Sequence, residues 1–149
     1  MVELPSFSTE ETERVAAAVA RELEAGDVVT VAGELGAGKT TFVRGACREL
    51  GVTEPITSPT YTIGHRYAGR VDVAHVDLYR FQAMSEEDWG DLEEYFAGTV
   101  AFVEWPEVAE AFLPPVRVGI RLRLLGPEHR LIVLETSEKS LEIAVSSLC

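Results

Sequence analysis

The apolar residues of this chain fall into two patterns, one typical of β-strands and one typical of amphipathic helices. Residues 28–32 and 100–103 are short, almost wholly apolar runs, which predicts strands buried on both faces of a sheet. In residues 116–124 apolar side chains alternate with arginine or glycine, which is the period of a strand with one face on the core. The remaining strands are predicted at residues 61–67 and 70–78, joined as a hairpin through Ala68 and Gly69, and at residues 131–134.

Helices are predicted where apolar residues recur three or four positions apart. Ser8 precedes Glu11 by three residues, which is a capping-box pattern and predicts a helix from there to Glu24. The predicted second helix, from Thr40 to Leu50, has one apolar face and is followed by a glycine. The other helices are predicted at residues 85–96 with Ser85 as the N-cap, at residues 106–112, and from residue 137 onward.

This alternation of strands and helices predicts an α/β fold. We expect a three-layer sandwich with a mostly parallel central sheet, antiparallel strands at its edge and helices on both faces. A length of 149 residues and a hydrophobic fraction of 46% fit one domain, residues 1–149. In such a sheet the functional site is expected at the carboxyl ends of the central strands.

Residues Gly33 to Thr40 (GELGAGKT) match the phosphate-binding pattern G-x-x-x-x-G-K-[ST], between a predicted strand and a predicted helix. Glycines let backbone N–H groups converge on a phosphate at the helix N-terminus. Lys39 can reach the β- and γ-phosphates, and the Thr40 hydroxyl can bind Mg²⁺. The alternative is an ordinary glycine-rich turn, which the strand and helix on either side disfavour. The motif therefore predicts a P-loop NTPase-type fold that binds a nucleotide.

Two predicted strands end in an acidic residue. Asp77 follows the run VAHV, and Glu104 follows the run VAFV. Because the carboxyl ends of parallel strands open into the ligand crevice, both side chains are expected beside the phosphate loop. Nucleotide hydrolysis needs a carboxylate to hold Mg²⁺ or to orient the attacking water. The alternative for each acid is a solvated strand end, so the pattern makes both residues candidates.

Residues 57–62 (TSPTYT) lie between the P-loop helix and the next predicted strand. Nucleotide switches carry in this interval a segment that becomes ordered around the γ-phosphate and its metal. Hydroxyl side chains on both sides of Pro59 could form such a clamp. A polar turn ahead of an edge strand is an equally good interpretation from the residues alone.

Three further side chains near the predicted strand ends have two interpretations each. Trp105 could flank a nucleotide or pack in the core. Arg80 could stabilise phosphate charge, although an arginine at a strand end more often forms a surface ion pair. His75 is expected on the same strand face as Asp77, as a buried partner in preference to a catalytic base.

The composition limits the classes of binding partner and the cellular compartment that we expect for the protein. With a formal net charge of −12, the chain should not hold RNA or DNA unaided, because nucleic-acid affinity comes largely from cationic side chains. No apolar run suggests a membrane span and no secretory leader pattern is present, so we expect a cytoplasmic protein without membrane contact. Cys47 and Cys149 suggest neither a disulfide framework nor a zinc site. The chain contains no asparagine, which excludes the guanine-reading Asn-Lys-x-Asp motif and favours ATP over GTP.

Four segments occur in this order along the chain: GELGAGKTT at 33–41, SPTYT at 58–62, HVDLYR at 75–80 and EW at 104–105. They resemble the motifs of the TsaE (YjeE) family of bacterial tRNA threonylcarbamoyladenosine biosynthesis ATPases. The similarity extends from about Ser8 to Arg130. One residue and one segment depart from the family pattern: Glu34 stands where aspartate is commoner, and residues 89–92 (WGDL) are a loose version of the family's helix.

The resemblance implies a Mg²⁺-dependent P-loop ATPase that uses ATP and releases ADP. It would act with TsaD- and TsaB-type partner subunits in making N6-threonylcarbamoyladenosine at position 37 of tRNAs reading ANN codons, and would meet tRNA only through that complex. Its turnover is expected to be slow alone and to be stimulated on assembly.

The resemblance also implies residue roles. Lys39 would bind phosphate, Thr40 and Glu104 would hold Mg²⁺, and Asp77 would position water or serve a second metal site. The catalytic candidates are thus Lys39, Asp77 and Glu104, and the metal candidates are Thr40, Asp77 and Glu104. The implied nucleotide contacts are Ser8, Gly33, Glu34, Leu35, Gly36, Ala37, Gly38, Lys39, Thr40, Thr41, Ser58, Thr60, Trp105 and Arg130.

Two other function classes remain open from the residues. A P-loop kinase of a small metabolite would share the size and the loop, but such kinases carry an arginine-rich lid. Here Arg117, Arg121 and Arg123 alternate along a predicted strand, more like an exposed sheet face than a lid. A non-catalytic nucleotide-sensing scaffold, in which ATP only orders residues 57–62 as a docking surface, is the second alternative.

Overall fold

The computed structural model of the protein describes residues 1–56 and 63–148. Within these residues, seven strands form one sheet in the order β1-β7-β6-β2-β5-β4-β3. The strands are β1 (Val2–Ser6), β2 (Val28–Gly33), β3 (Gly64–Tyr67), β4 (Val73–Asp77), β5 (Val100–Glu104), β6 (Val118–Leu124) and β7 (Arg130–Glu135).

The inner strands of this sheet run parallel to one another. β2 pairs with β5 and with β6, and β4 pairs with β5, all in parallel. β7 and β1 add antiparallel strands on one side, and β3 adds one on the other. The predicted parallel centre with antiparallel edges is therefore confirmed. Because β2, β4 and β5 point the same way, Gly33, Asp77 and Glu104 lie at the same edge of the sheet.

Helices cover both faces of the sheet. α1 (Thr9–Ala20), α2 (Lys39–Glu49) and α4 (Lys139–Ser146) lie on one face and share a core that includes Val19, Phe42 and Leu141. α3 (Glu86–Leu92) lies on the other face, where Trp89 and Leu92 pack against strand residues of β4 and β5. Short 3-10 turns follow α3 and β5, at Glu93–Phe96 and Pro106–Ala109. No helix within residues 1–56 and 63–148 has the length and apolarity needed to cross a membrane.

Most predicted elements are present with shifted ends. The helix predicted at residues 85–96 is confirmed as α3 and the 3-10 turn that follows it. Ser85 caps α3, accepting the Asp88 N–H, and the Asp88 side chain accepts the Ser85 N–H in return. The hairpin of β3 and β4 is also confirmed, with Tyr67 opposite Val73, so that residues 68–72 form its loop. Its predicted first residues, 61 and 62, lie outside the described part of the chain.

Three details differ from the pattern analysis. β1 is not predicted from the sequence pattern, because this short segment contains Pro5, which has no N–H for a sheet. An edge strand tolerates that loss. α1 ends at Ala20 and not at Glu24, since the following residues close tighter i→i−3 turns. After β5 the chain forms only a 3-10 turn ending at Ala109, where a helix to residue 112 is predicted.

Candidate functional site

The loop between β2 and α2 has the backbone conformation that a phosphate site requires. Gly38 is the N-cap of α2 with φ 102°, a left-handed conformation that favours glycine, and it provides no side chain to cap the helix. The first N–H groups of α2 therefore remain available to a ligand. At Gly33 a Cβ would lie 2.6 Å from the Leu122 carbonyl oxygen, so only glycine allows this close approach of β2 to β6.

Lys39 lies on the first turn of α2 and is held against its own loop. Its Nζ donates to the carbonyl oxygens of Gly33 at 2.7 Å and Glu34 at 3.0 Å, and its residue is only 6% exposed. Burial lowers the pKa of the Lys39 ammonium below its ordinary value, and the nearby carboxylates of Glu104 and Asp77 partly oppose that shift. The site thus contains one desolvated cation beside two acids.

Asp77 and Glu104 are neighbours across the parallel pair β4 and β5. Their Cα atoms are register partners, so the two side chains lie on the same face of the sheet, the face covered by α2. Glu104 is 2% exposed, and its Oε2 lies 2.5 Å from His75 Nε2. Asp77 is less buried, and its Oδ1 accepts the Tyr79 N–H at 3.0 Å. The expected convergence of both acids on the loop side is present.

Trp105 follows Glu104 in a strained conformation. Its φ of 57° makes it the single non-glycine residue with positive φ among residues 1–56 and 63–148. This conformation brings the indole ring to 4.3 Å from Lys39 Nζ, measured to the ring centroid, and to 5.1 Å from the Tyr79 ring. The ring therefore covers the lysine and forms one wall of the site.

Arg130, the first residue of β7, binds the phosphate loop from the opposite side. Its guanidinium donates to the carbonyl oxygens of Ala37 at 3.1 Å and Gly36 at 3.2 Å, and to those of Gly126 and Pro127 at 3.3 Å each. The same side chain thus joins the loop to the β6–β7 turn. Sequence reasoning had only the family resemblance for Arg130, because nothing in the local pattern points to carbonyl groups more than ninety positions away.

A cavity of about 380 Å³ opens beside the loop, between the N-terminus of α1 and the β6–β7 turn. Ser8 caps α1 here, its Oγ accepting the Glu11 N–H at 3.1 Å. Phe7 stacks on His129 with ring centroids 4.4 Å apart, which ties the two sides of the cavity together. The lining residues are Phe7, Ser8, Thr9, Glu10, Thr12, Ala37, Gly38, Thr41, Pro127, Glu128 and Arg130.

The structure brings together nearly all sequence candidates that it describes. Ser8, Ala37, Gly38, Thr41 and Arg130 line the cavity, whereas Leu35 points its side chain into solvent at 65% exposed. The Glu34 carboxylate accepts the Leu124 N–H at 3.4 Å. The candidates Ser58 and Thr60 lie outside the described residues. Phe7, Thr12, Pro127 and Glu128 are cavity residues that sequence reasoning missed, since the pattern shows only a helix start and a turn there.

The oxygen donors at the site suit a hard divalent cation. Among residues 1–56 and 63–148 no group of three or more histidine, cysteine, aspartate or glutamate side chains could hold a metal on its own. The Thr40 hydroxyl and the carboxylates of Asp77 and Glu104 are oxygen ligands of the kind Mg²⁺ prefers. Mg²⁺ usually takes one or two carboxylates and completes its shell with phosphate and water. This donor set therefore fits a cation that arrives with a nucleotide.

Comparison with known proteins agrees with these motifs. The family model described as "Threonylcarbamoyl adenosine biosynthesis protein TsaE" matches residues 6–132. The tRNA threonylcarbamoyladenosine biosynthesis protein TsaE of Bacillus subtilis is 42% identical over 127 residues, covering 84% of this chain and 79% of that protein. The protein of the same name from Treponema pallidum is also 42% identical, over 87% of this chain and 96% of its own length.

Solved structures give the same result. The crystal structure of YdiB from Bacillus subtilis superposes with a TM-score of 0.79 at 34% sequence identity, covering 99% of this chain and 93% of that one. The family match, the identities and the shared fold together extend over most of the chain. The chain belongs to the TsaE family, whose name places it in threonylcarbamoyladenosine biosynthesis.

Proposed function

We propose that the protein is a Mg²⁺-dependent P-loop ATPase that hydrolyses ATP to ADP in support of the complex that makes N6-threonylcarbamoyladenosine at position 37 of tRNAs reading ANN codons. The observation that carries this proposal is the position of Lys39. Its ammonium lies at the glycine loop and in the field of the Asp77 and Glu104 carboxylates. A buried cation, open helix N–H groups and two acids are the parts that a triphosphate and its cation need.

The nucleotide would bind with its phosphates on the loop and its base in the adjoining cavity. The N–H groups of the first turn of α2 provide the phosphate contacts, and Lys39 turns from the Gly33 and Glu34 carbonyl groups to the phosphates. Ser8 and Thr41 present hydroxyl groups to the cavity, whose volume of about 380 Å³ lies within the range of small-molecule sites. Phe7 adds an aromatic surface against which a base can stack.

Thr40 and Glu104 would hold the cation that accompanies the nucleotide. When bound, Mg²⁺ would neutralise charge on the β- and γ-phosphates. Side chains of the protein would provide the other catalytic contributions. Asp77, the less buried acid, orients the attacking water, and Lys39 stabilises charge on the transferred group. Trp105 excludes water from Lys39, which strengthens the interaction of the ammonium with a phosphate.

The net charge of −12 supports action within a complex. A strongly acidic chain is repelled by tRNA, so TsaD- and TsaB-type subunits would hold the tRNA and this protein would provide the ATP-dependent step in the cytoplasm. The isolated protein would then hydrolyse ATP slowly and respond to the partner subunits. Rapid hydrolysis by the isolated protein, without response to those subunits, would contradict this part of the proposal.

The decisive experiment measures whether the protein with Mg·ATP sustains repeated rounds of tRNA modification by the partner subunits. Lys39→Ala should reduce sustained modification by on the order of 100-fold, because it removes the charge that stabilises the transferred phosphate. The chain contains one other lysine, Lys139, at the start of α4, and Lys139→Ala is the matched control with wild-type activity expected. Circular dichroism spectra of both variants check the fold. Wild-type activity in the Lys39→Ala variant would overturn the proposal.

A second variant separates hydrolysis from nucleotide sensing. Asp77→Asn keeps the size of the side chain and removes its charge, so nucleotide binding should persist. If hydrolysis is required, sustained modification is lost while ADP affinity changes little. If the variant still supports modification, the scaffold interpretation is favoured over the ATPase. A phosphorylated product from a panel of small metabolites would favour the kinase instead.

A further inference from the structure

His75 and Glu104 form a buried side-chain pair that extends the site into the protein interior. His75 is 0% exposed and Glu104 is 2% exposed, and the atoms His75 Nε2 and Glu104 Oε2 lie 2.5 Å apart. The pair joins β4 to β5. His75 lies on β4 two residues before Asp77, and Asp77 is the register partner of Glu104 on β5. His75 therefore contacts the Glu104 carboxylate from the side opposite the strand ends, away from where ligands would approach.

The surroundings of His75 determine which ring nitrogen carries the proton. The other nitrogen, Nδ1, is buried and has no hydrogen-bond partner among residues 1–56 and 63–148. A proton on Nδ1 would bury an unpaired N–H group, which is more costly than burying a bare ring nitrogen next to apolar atoms. With the proton on Nε2 instead, the ring donates to Glu104 Oε2. The geometry thus favours the tautomer in which His75 is a donor to the acid.

Oε2 of Glu104 accordingly accepts the hydrogen bond from His75. Within residues 1–56 and 63–148, no residue donates a hydrogen bond to the other oxygen, Oε1. A carboxylate with one oxygen held by a buried donor has a fixed rotamer, and its free oxygen keeps one direction. Metal-binding side chains are oriented in this way by hydrogen-bonding partners behind them, and loss of such a partner costs 10- to 100-fold in metal affinity.

We propose that His75 is a positioning residue: its Nε2–H fixes the Glu104 carboxylate so that Oε1 faces the cation of the bound nucleotide. This inference rests on the proposed function, because it concerns how the chain holds Mg²⁺ when ATP or ADP binds. It goes beyond that function in assigning to a buried histidine, which touches neither nucleotide nor metal, control over the metal affinity of the site.

The test compares nucleotide affinity with and without Mg²⁺ in two variants. His75→Phe keeps a planar ring but has no hydrogen-bond donor. Calorimetry measures ADP affinity at a series of Mg²⁺ concentrations. We expect the Mg²⁺ concentration at which the increase in ADP affinity is half complete to rise at least tenfold in this variant. Affinity for ADP without Mg²⁺ should change less than twofold, because the loop is untouched. His75→Gln restores an N–H donor and should recover most of the Mg²⁺ response. His65→Phe, across the β3–β4 register from His75, is the matched control with wild-type behaviour.

A second measurement keeps the proposal testable if His75→Phe does not fold. In the wild-type protein the ¹⁵N chemical shifts of the imidazole report which nitrogen is protonated; we expect the proton on Nε2, and a proton on Nδ1 would overturn the proposal. The outcomes of the two proposals are also distinguishable. A wild-type protein with no Mg²⁺-dependent nucleotide binding would overturn both. A wild-type protein with such binding, matched by His75→Phe, would overturn only the role of His75.

Discussion

Trp105 covers Lys39: the lysine Nζ lies 4.3 Å from the centroid of the indole ring. The ring reaches this position because the Trp105 backbone adopts a φ of 57° immediately after β5 ends. A left-handed conformation at a bulky residue costs about 1–3 kcal/mol and persists only where the surrounding structure imposes it. The strain therefore falls on the residue that shields the phosphate-binding lysine from water.

This shielding predicts an abnormal titration of Lys39. Burial is the main cause that lowers the Lys39 pKa, so its ammonium should lose its proton at a lower pH than an ordinary lysine does. Because the chain contains two lysines, a ¹³C-lysine-labelled Lys139→Arg variant gives a single lysine signal, that of Lys39, and its titration can be followed directly. Trp105→Ala should move the Lys39 pKa upward toward its ordinary value, because water then reaches the ammonium. A Lys39 signal that titrates at the ordinary pKa of a lysine would contradict this account.

Arg130 is predicted to act through the loop and not as a simple charge. Arg130→Lys keeps the cation but loses the planar fork that binds the Gly36 and Ala37 carbonyl groups together with the β6–β7 turn. We expect ADP affinity to fall by about tenfold and unfolding free energy by about 1–3 kcal/mol, the effect of losing charge-assisted hydrogen bonds. Calorimetry and urea unfolding measure the two effects.

The exposed Arg123 of β6 offers the matched control for this change. Arg123→Lys should alter neither ADP affinity nor stability, because its side chain is solvated. If Arg130→Lys also behaves like the wild type, Arg130 serves the site by its charge alone, as a direct phosphate contact would.

An ion-pair group far from the loop predicts a pH dependence of stability. Arg117 donates to the Glu138 carboxylate at 2.6 Å and to Asp27 at 2.5 Å, joining β6 to the start of β2 and of α4. The hydrogen bond from Arg117 lowers the pKa of Glu138 below its ordinary value of 4.5. A carboxyl with a lowered folded-state pKa stabilises the protein above its unfolded-state pKa, and that contribution disappears as the pH falls through the folded-state value.

Glu138→Gln should therefore destabilise the protein at pH 7 and have little effect once the pH is well below 4.5, where the wild-type carboxyl is protonated as well. Urea unfolding of both proteins at pH 7 and at acid pH measures the difference. Glu3→Gln, at an exposed position of β1, should show no comparable dependence. A stability difference between Glu138→Gln and wild type that stays constant with pH would disprove the coupling to Arg117.

The sequence was sufficient for features that depend on local pattern. Alternation and apolar runs predict β2, β5 and β6. The glycine loop between β2 and α2 predicts a phosphate site because its whole motif lies within eight consecutive residues. The convergence of Asp77 and Glu104 also follows, since parallel strands end at one edge. These predictions need only chain direction and side-chain period.

The remaining features depend on contacts between distant segments. The hydrogen bond from Arg130 to the Ala37 carbonyl oxygen joins residues 93 positions apart. The cavity is lined by the N-terminus of α1 and by a turn more than a hundred residues later. The His75–Glu104 bond requires the register of β4 against β5, which no single-strand pattern specifies. The left-handed conformation of Trp105 has no sequence signal either, because bulky residues normally avoid it.

The close approach of α1 and α2 provides a last prediction, since it sets the position of the cavity wall relative to the loop. At Gly45 of α2 a Cβ would lie 2.7 Å from Glu13 Cα and 2.8 Å from the Glu13 carbonyl oxygen, both backbone atoms of α1. At Gly90 of α3 a Cβ would meet no atom within 4 Å. The two glycines thus form a matched pair of helical sites, one crowded and one open.

Gly90→Ala should raise the unfolding free energy by about 0.5–1 kcal/mol, the gain in helix propensity over glycine. Gly45→Ala should lower it by about 1–3 kcal/mol, because the helices must separate and overpacking outweighs the propensity gain. For a chain of this length these changes correspond to Tm shifts of roughly 2–4 °C per kcal/mol in a thermal melt. ADP affinity should fall in Gly45→Ala alone, as α1 moves Ser8 away from the loop. A Gly45→Ala variant as stable as Gly90→Ala would show that the two helices do not meet at this glycine.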